Sequence, residues 1–452
     1  MQYIISSSKT KTKIAQVAFE AGDENRVDAL GRLPERSYVV EYKGDLAGAE
    51  CNENLRHLAY DLREALRRDK VDRIALRLKP FSAEQQMAFV EGLTLADYSF
   101  DRFKSKAPHH IASVTLCDVA FSEAELEERK CLWNRIFWCR EWVNLPVADL
   151  NAVRFSEELA SIAEDLGVKC TVFDKKKIEA LRMGGLLAVN KGSVDEPRFV
   201  VLEYKGNPKS RKAPIALVGK GIMYDTGGLN LKPDDYMQEM KSDMAGSATM
   251  ASVLFAAADN KLPVNLVALL PLTDSRPGFN AFAADDILTM YDGTTVEVVN
   301  TDAEGRVILA DAIAYAVEKY NPSLLIDAAT LTGAAVRAIA TFGIAAIEQN
   351  ADAETARLQA VGEQVYERLA MLPFWKEYDK MIESQVADLK NCGPGQAGTI
   401  TAGKFLAHFA KQTPYIHLDI AGVAYFSKPQ APFTYGASGY GIRLLYEFLK
   451  NK

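Results

Sequence analysis

Two segments of the sequence carry charged side chains that packing alone does not explain, and the first places them among glycines, as a loop that wraps around a ligand would. The first, residues 218–248, contains glycines at 219, 221, 227, 228 and 246 together with Lys220, Asp225, Lys232 and Asp243. Glycine permits positive φ and a close backbone approach, so the pattern favours a ligand-binding loop. A surface loop with solvated charges explains this segment equally well when it is considered alone.

The second segment, residues 298–312, is predicted to be a strand that ends at Asn300 and a helix that begins near Glu304. Asp302 and Glu304 then lie at the turn between them. Open α/β sheets bind ligands at the carboxyl ends of their strands. The alternative is that the two acids only cap the helix and interact with its dipole.

Together the segments supply four carboxylates that could converge: Asp225, Asp243, Asp302 and Glu304. Converging carboxylates repel and raise one another's pKa unless a cation lies between them. Two divalent ions would satisfy this set, and paired metals about 3.5–4 Å apart are a known hydrolytic device. The five histidines show no HExxH spacing and the six cysteines no CxxC pair, so a metal must be held mainly by oxygen.

The glycine-containing stretches of the sequence do not match three other common catalytic or nucleotide-binding motifs. Lys220 is followed by Gly221 rather than Ser or Thr, which excludes a P-loop. Tyr224 stands where a dinucleotide-binding fingerprint needs glycine, and Gly436-Ala-Ser-Gly439 is not a nucleophile elbow. The sequence therefore argues against nucleotide binding and serine hydrolase chemistry.

Composition predicts a globular protein: 452 residues, 48% hydrophobic and 25% charged, with a net charge of −7. The acidic balance argues against a nucleic-acid partner. No apolar run is long enough to cross a bilayer and no export signal precedes the first strand, so we expect a cytoplasmic protein without a membrane partner. The scattered cysteines are expected to be free thiols.

Hydrophobic patterning predicts an α/β protein of two domains. Residues 1–140 read as a small α/β domain followed by a connecting helix at 122–140, and residues 141–452 as a catalytic domain. Apolar strands alternate with helices in the second domain, which favours a mixed, mostly parallel sheet flanked by helices. The strands are predicted at 199–203, 215–218, 264–271, 296–299 and 324–328, and the helices at 243–260, 304–319 and 352–370.

Asn300-Thr-Asp-Ala-Glu-Gly-Arg306 resembles the signature of the leucine (cytosol) aminopeptidase family. Stretches at 188–198, 327–334, 400–403 and 417–422 are also similar to that family, so the resemblance covers about residues 140–452 and extends weakly to 91–98. It implies an N-terminal domain like a macro domain, a homo-oligomer that is a hexamer, and peptide substrates.

The resemblance also implies a role for each charged residue. Asp225 and Glu304 would bridge two divalent cations, Zn²⁺ or Mn²⁺. Lys220 and Asp243 would complete the more loosely held ion, and Asp302 the tighter one. Lys232 would stabilise the oxyanion as a catalytic residue. Arg306, the second catalytic residue, would hold a bicarbonate ion that shuttles the proton.

The implied substrate site consists of Asp243, which would bind the free α-amine, and a pocket of Met240, Thr330, Leu331 and Gly333. An apolar pocket with a thioether suits an N-terminal Leu or Met. Two alternatives remain open at this point. One is a DNA-binding regulator, since some family members bind DNA, and the other is a di-metal phosphoesterase.

Overall fold

The computed structural model describes residues 1–6, 14–31, 36–43 and 48–451, and the chain forms two compact units. The first unit contains Met1–Phe137 and Phe426–Ser438, and the second contains Trp138–Tyr425 and Gly439–Lys452. The division of domains at residues 140 and 141 stays a proposal. The units differ from it chiefly at Phe426–Ser438, which the sequence division places in the second domain.

The first unit is built on a six-stranded sheet in the order β1-β6-β5-β2-β4-β3, in which β3 pairs antiparallel with β4 and the other paired neighbours are parallel. Its helix α2 begins at a capping box, where the Ser82 hydroxyl and the Gln85 side chain each bond the other's backbone. The elements are β1 (Gln2–Ser6), β2 (Ala15–Gly22), β3 (Arg26–Leu30), β4 (Ser37–Lys43), α1 (Gly48–Asp69), β5 (Arg73–Arg77), α2 (Ala83–Ala96) and β6 (Ser113–Cys117). The connecting helix, α3 (Glu123–Asn144), follows them.

The second unit contains a nine-stranded mixed sheet. Its order is β16-β15-β18-β14-β9-β11-β8-β7, and β10 pairs with the end of β11. The strands of this sheet are β7 (Lys169–Phe173), β8 (Arg198–Lys205), β9 (Ile215–Gly219), β10 (Gly221–Asp225), β11 (Asn265–Ser275), β14 (Leu324–Ala329), β15 (Ile344–Gln349), β16 (Leu369–Met371) and β18 (Tyr415–Asp419).

Smaller sheets and the helices complete the described elements. A three-stranded sheet contains β12 (Ile287–Thr289), β13 (Thr295–Glu297) and β17 (Leu389–Lys390), and a short pair joins β19 (Tyr425–Phe426) to β20 (Gly436–Ala437). The helices are α4 (Ala152–Asp165), α5 (Lys175–Ala180), α6 (Gly184–Asn190), α7 (Asp234–Met237), α8 (Ala245–Asp259), α9 (Glu304–Tyr320), α10 (Gly333–Ile339), α11 (Asp352–Val365), α12 (Gly398–Ala410) and α13 (Ile442–Lys450).

The centre of the large sheet is covered on both faces. Every residue of β9, β14 and β18 is buried, as expected for strands that lie between two layers of helices. Helix α8 packs against β9 and β14, while α9 packs against β9 and α12 packs against β18 and α9. Side chains of α9 and α12 share one apolar core with one face of the sheet. The predicted α/β fold class is confirmed.

Two predicted elements are placed differently in the structure. The strand predicted at 296–299 ends at Glu297 and belongs to the small three-stranded sheet, so Asp302 and Glu304 do not follow a strand of the large sheet. The Asn391 side chain instead takes up the next backbone groups, accepting from Val299 N and donating to Asn300 O. An alternating apolar pattern cannot show which sheet a strand joins.

The helix predicted at 352–370 ends at Val365 because Tyr366 adopts a left-handed conformation, with φ 59°. Likewise, the helix predicted from Asp243 is α-helical only from Ala245 and is preceded by a 3₁₀ turn, Met240–Met244. In the part of the chain that the structure describes, every helix is too short or too polar to cross a lipid bilayer.

Candidate metal centre

Lys220 and Asp225 enter the site at the two ends of β10. Lys220 lies between β9 and β10, and its backbone N–H donates to the carbonyl of Ala328 on the neighbouring strand at 3.1 Å. Its side chain passes close to the first turn of α9, where a Cβ on Gly305 would lie 2.4 Å from Lys220 Cε. Glycine at 305 therefore makes room for the lysine.

Asp302 and Glu304 approach from the turn that opens α9. Asp302 lies in a 3₁₀ turn, Thr301–Ala303, and the Asn300 side chain accepts from its backbone N–H at 2.8 Å. Gly227 faces this turn with φ +84°, and a Cβ there would lie 2.8 Å from Asp302 Oδ1. Gly227 thus permits close approach, as the sequence predicts for the glycines of the first segment, and Gly305 does the same in the second segment without having been predicted.

Thr301 and Asn230 connect the two segments, and sequence reasoning did not single them out. The Thr301 hydroxyl donates to Gly227 O at 2.6 Å and accepts from Asn230 N at 2.8 Å, while Asn230 Oδ1 accepts from Thr301 N at 2.8 Å. Both residues lie inside the two segments named above. Their polar side chains beside glycines and acids were the available signal.

Three of the predicted ligands converge. One carboxylate oxygen from each of Asp225, Asp302 and Glu304 lies within 4.8 Å of the others. Asp225 and Glu304 are buried, with exposures of 2% and 1%. Glu304 Oε2 is buried and has no hydrogen-bond partner among the described residues. A buried carboxylate oxygen without a partner is costly unless a cation supplies the missing interaction.

Two lysines balance these carboxylates. Lys220 Nζ lies 2.6 Å from Asp243 Oδ2 and 3.2 Å from Glu304 Oε1. Lys232 Nζ lies 2.8 Å from Asp225 Oδ2 and 2.5 Å from Asp302 Oδ1. The structure therefore brings six of the seven predicted charged residues into one cluster, and the seventh is Arg306.

Burial and mutual repulsion shift the acids of the cluster. Burial is the largest effect, and it raises the pKa of Asp225, Asp243 and Asp302 above the usual aspartate value. Burial also acts to raise the pKa of Glu304, but the nearby Lys220 and Lys232 outweigh it and the pKa is lowered.

The pKa values of the two lysines are raised as well, and for a lysine a raised pKa favours the charged form. Burial acts to lower the pKa of each, and the surrounding carboxylates outweigh burial, so both pKa values lie above the usual lysine value. Protonated lysines and ionised carboxylates therefore stabilise one another.

The donor chemistry of the cluster fits divalent cations. Carboxylate oxygens are the ligands that hard cations prefer, and Glu304 Oε2 supplies one that the protein itself leaves without a partner. Lys220 can serve as a ligand only after it gives up its proton, which makes metal binding release protons.

Arg306 is a buried cation in the first turn of α9. It is 6% exposed, and its Nε and Nη1 atoms have no hydrogen-bond partner among the described residues. Burial lowers the pKa of Arg306. A guanidinium with unused donors is suited to bind a small planar anion.

The predicted substrate residues border Asp243. Met240 opens the 3₁₀ turn that contains Asp243, and the Thr330 hydroxyl donates to Asp243 Oδ1 at 2.7 Å. Leu331 directly follows Thr330, and Gly333 is the first residue of α10. Thr330 thus forms a hydrogen bond with the cluster. The other three residues, Met240, Leu331 and Gly333, are close in sequence to Asp243 or to Thr330.

An α/β unit with a cluster of carboxylates is an arrangement that metal-dependent hydrolases use. Residues 137–446 match the catalytic domain of the cytosol aminopeptidase family, and residues 47–107 match its N-terminal domain. The chain belongs to the cytosol aminopeptidase family.

Relatives and a solved structure agree with this assignment. The chain is 39% identical to a "Probable cytosol aminopeptidase" of Syntrophotalea carbinolica, over 93% of this chain and 86% of the relative. It is also 39% identical to one of Geobacter sulfurreducens, over 95% and 88%. The bottromycin maturation enzyme BotP in complex with Mn superposes with a TM-score of 0.88 at 30% identity, over 97% of this chain and 99% of BotP.

The chain is therefore a hydrolase, a metal-dependent aminopeptidase that acts on peptides. The resemblance drawn from the 300–306 motif is confirmed. The phosphoesterase alternative is set aside, because the family that matches the chain consists of peptidases.

Proposed function

We propose that this chain is a two-metal aminopeptidase that removes apolar N-terminal residues, of the Leu or Met type, from peptides. The observation that carries the proposal is the convergence of Asp225, Asp302 and Glu304, whose carboxylate oxygens lie within 4.8 Å of one another beside Lys220 and Asp243.

In this proposal, five residues would hold two divalent cations: both ions would share Asp225 and Glu304 as ligands, Lys220 and Asp243 would be further ligands of one ion, and Asp302 would be a further ligand of the other. Manganese and zinc are both candidates, and the Mn complex of BotP supports manganese. When bound, two such ions acidify a water molecule and polarise a carbonyl group. The protein's own residues must then bind the substrate, stabilise the oxyanion and move the proton.

Lys232 is proposed to stabilise the oxyanion that forms on the scissile carbonyl. Its ammonium group lies between Asp225 and Asp302, and these carboxylates hold its pKa above the usual lysine value. Lys232 is therefore charged throughout the neutral pH range. A fixed positive charge at 14% side-chain exposure is poorly screened by water.

Arg306 is proposed to hold a bicarbonate ion that transfers the proton. The four carboxylates are committed as metal ligands, so none is left as a general base. The Nε and Nη1 donors of Arg306 have no partner among the described residues, and a small oxyanion such as bicarbonate would supply the acceptor that they lack. This assignment gives the buried guanidinium the partner that the described residues do not supply.

Substrate selection is proposed to occur beside Asp243, where the Thr330 hydroxyl donates to Asp243 Oδ1. Asp243 binds the free α-amine, which restricts cleavage to the first residue of a peptide. Met240, Thr330, Leu331 and Gly333 form the pocket for its side chain, and methionine makes that pocket apolar and adaptable. We also propose that residues 141–452 form the catalytic domain. The chain is proposed to assemble as a hexamer and to work in the cytoplasm.

Hydrolysis of leucine p-nitroanilide by chelator-stripped protein tests this function. We expect nitroaniline release to return when Mn²⁺ or Zn²⁺ is added together with bicarbonate, and to stay absent in an Asp302→Ala variant. An Asp302→Ala protein with wild-type turnover would refute the ligand assignment. A panel of other aminoacyl anilides then measures the side-chain preference.

A further inference from the structure

Asp419, the last residue of β18, is a buried carboxylate that binds the loop after the neighbouring strand β14. Its Oδ2 accepts from the Thr332 hydroxyl at 2.6 Å, and its Oδ1 accepts from Leu331 N at 3.2 Å. Oδ1 also accepts from Ala421 N at 3.2 Å. Asp419 is 1% exposed, and hydrogen bonds to a charged, buried acceptor are among the stronger ones.

The loop that Asp419 holds begins with Thr330, and Thr330 contacts two of the proposed metal ligands. Its hydroxyl donates to Asp243 Oδ1 at 2.7 Å, and its carbonyl accepts from Lys220 Nζ at 2.9 Å. Asp243 and Lys220 are the two residues assigned above to one of the two ions. Leu331 directly follows Thr330, and its backbone N–H donates to Asp419.

A second set of bonds makes this loop rigid. The Thr332 hydroxyl accepts from Ala335 N at 3.1 Å and so caps α10, and it lies 2.8 Å from the Thr399 hydroxyl. Asp419 therefore orients the hydroxyl that starts α10 as well as the backbone at Leu331. Asp419 and Asp243 are therefore connected through buried or half-buried groups: a hydrogen bond joins Asp419 to Thr332, the backbone joins Thr332 to Thr330, and a hydrogen bond joins Thr330 to Asp243.

We propose that Asp419 is a positioning residue that sets the affinity of the ion bound by Asp243 and Lys220, acting through the 330–332 loop. The proposal rests on the ligand assignment given under the proposed function. Groups that orient metal ligands from behind commonly change metal affinity by about 10–100-fold when they are removed. Among the described residues, the hydrogen bonds of Asp419 go to Leu331, Thr332 and Ala421 rather than to Asp243 or Lys220, so its effect passes through the loop to Thr330.

The test measures Mn²⁺ binding to the full chain after chelator treatment, by titration with free Mn²⁺ followed by electron paramagnetic resonance. We expect two ions per chain in the wild type. In Asp419→Ala we expect one of the two to bind about 10-fold more weakly, or worse, with the other unchanged. Thr332→Val removes the hydroxyl that donates to Asp419 and caps α10 but keeps the bond from Leu331 N to Asp419, so it should weaken the same ion by a smaller factor.

Glu367→Gln is the matched control. Glu367 is also a 1%-exposed carboxylate that accepts from backbone N–H groups, those of Gly441 and Leu444, and it lies outside the metal cluster. We expect this variant to lose thermal stability while it binds both ions with wild-type affinity. This separates a positioning role from a general loss of packing.

Two results overturn the proposal, and each has a different meaning. If Asp419→Ala and Thr332→Val bind both Mn²⁺ ions with wild-type affinity, or if the affinity for both ions falls equally, Asp419 has only a structural role. If Asp243→Asn also leaves both binding constants unchanged, the ligand assignment itself is wrong and the inference fails with it. Thr332→Val keeps the test decisive should Asp419→Ala not fold.

Discussion

Replacement of Lys232 by methionine separates oxyanion stabilisation from metal binding. Methionine keeps the apolar stem and removes the ammonium group that lies 2.8 Å from Asp225 Oδ2 and 2.5 Å from Asp302 Oδ1. Lys232 is assigned no metal in this account. Its loss should therefore slow the reaction without emptying the metal sites.

The charge of the cluster gives the direction of the effect on metal affinity, and the usual contribution of an oxyanion donor gives the size of the effect on kcat. The cluster contains four carboxylates and two lysines, so its formal charge of −2 becomes −3 in Lys232→Met. A more negative cluster attracts divalent cations at least as strongly, so we expect Mn²⁺ affinity to stay the same or rise. Removal of one preorganised oxyanion donor typically lowers kcat by about 10²–10³-fold, or roughly 3–4 kcal/mol.

The assay combines leucine p-nitroanilide kinetics at saturating Mn²⁺ with a direct count of bound Mn²⁺. Lys404→Met is the matched control, because Lys404 is also buried and paired, with Nζ 3.0 Å from Asp379 Oδ1, but lies outside the cluster. We expect kcat to fall in Lys232→Met only. A Lys232→Met protein that has lost bound metal, or that keeps wild-type kcat, would refute the reasoning.

Three further substitutions test other parts of the site and fold. Arg306→Ala should lower kcat by about 10²-fold or more but less than Asp302→Ala, with metal content unchanged, because water partly replaces the bound anion; equal losses in the two variants would contradict this order. Asp311 is fully buried, and burial raises its pKa to about 7. Between about pH 4 and 7 the folded protein then holds a proton that the unfolded chain has released, so wild-type stability should fall with rising pH by up to about 1.4 kcal/mol per unit. Urea unfolding of Asp311→Asn should show a flatter profile, and a pH-independent difference from the wild type would count against the shift. Thr301→Val removes the buried hydroxyl that joins Gly227 O to Asn230 N and should lower the free energy of unfolding by about 1–3 kcal/mol. Unchanged urea unfolding would show that these two hydrogen bonds do not stabilise the fold.

The convergence of the charged side chains was largely predictable from residue types and spacing. Gly227 permits the approach of Asp302, and its presence with other glycines among charged residues indicated a ligand loop, whereas the room that Gly305 makes for Lys220 was not predicted. The apolar runs of β9 and β14 likewise predicted strands buried on both faces. Local sequence carries this information because backbone permissiveness and burial are properties of each residue.

Long-range partners were not predictable in the same way. The strand at Thr295–Glu297 pairs with β12 and β17 rather than with the large sheet, a choice that depends on Asn391 and on residues about 90 positions away. The Asp419 contacts with Leu331 and Thr332 span a similar separation. Such contacts arise from the register of neighbouring strands, which a local pattern does not contain.

The central claim is that two metal ions held by the carboxylate cluster carry out the aminopeptidase reaction. Its most direct test is a titration of the chelator-stripped protein with Mn²⁺, in which bound metal and leucine p-nitroanilide hydrolysis are measured in the same samples with bicarbonate present. We expect two Mn²⁺ ions per chain and activity that reaches its maximum only as the second site fills. Full activity with one ion per chain, or binding of two ions to an Asp302→Ala, Glu304→Gln double variant, would contradict the account.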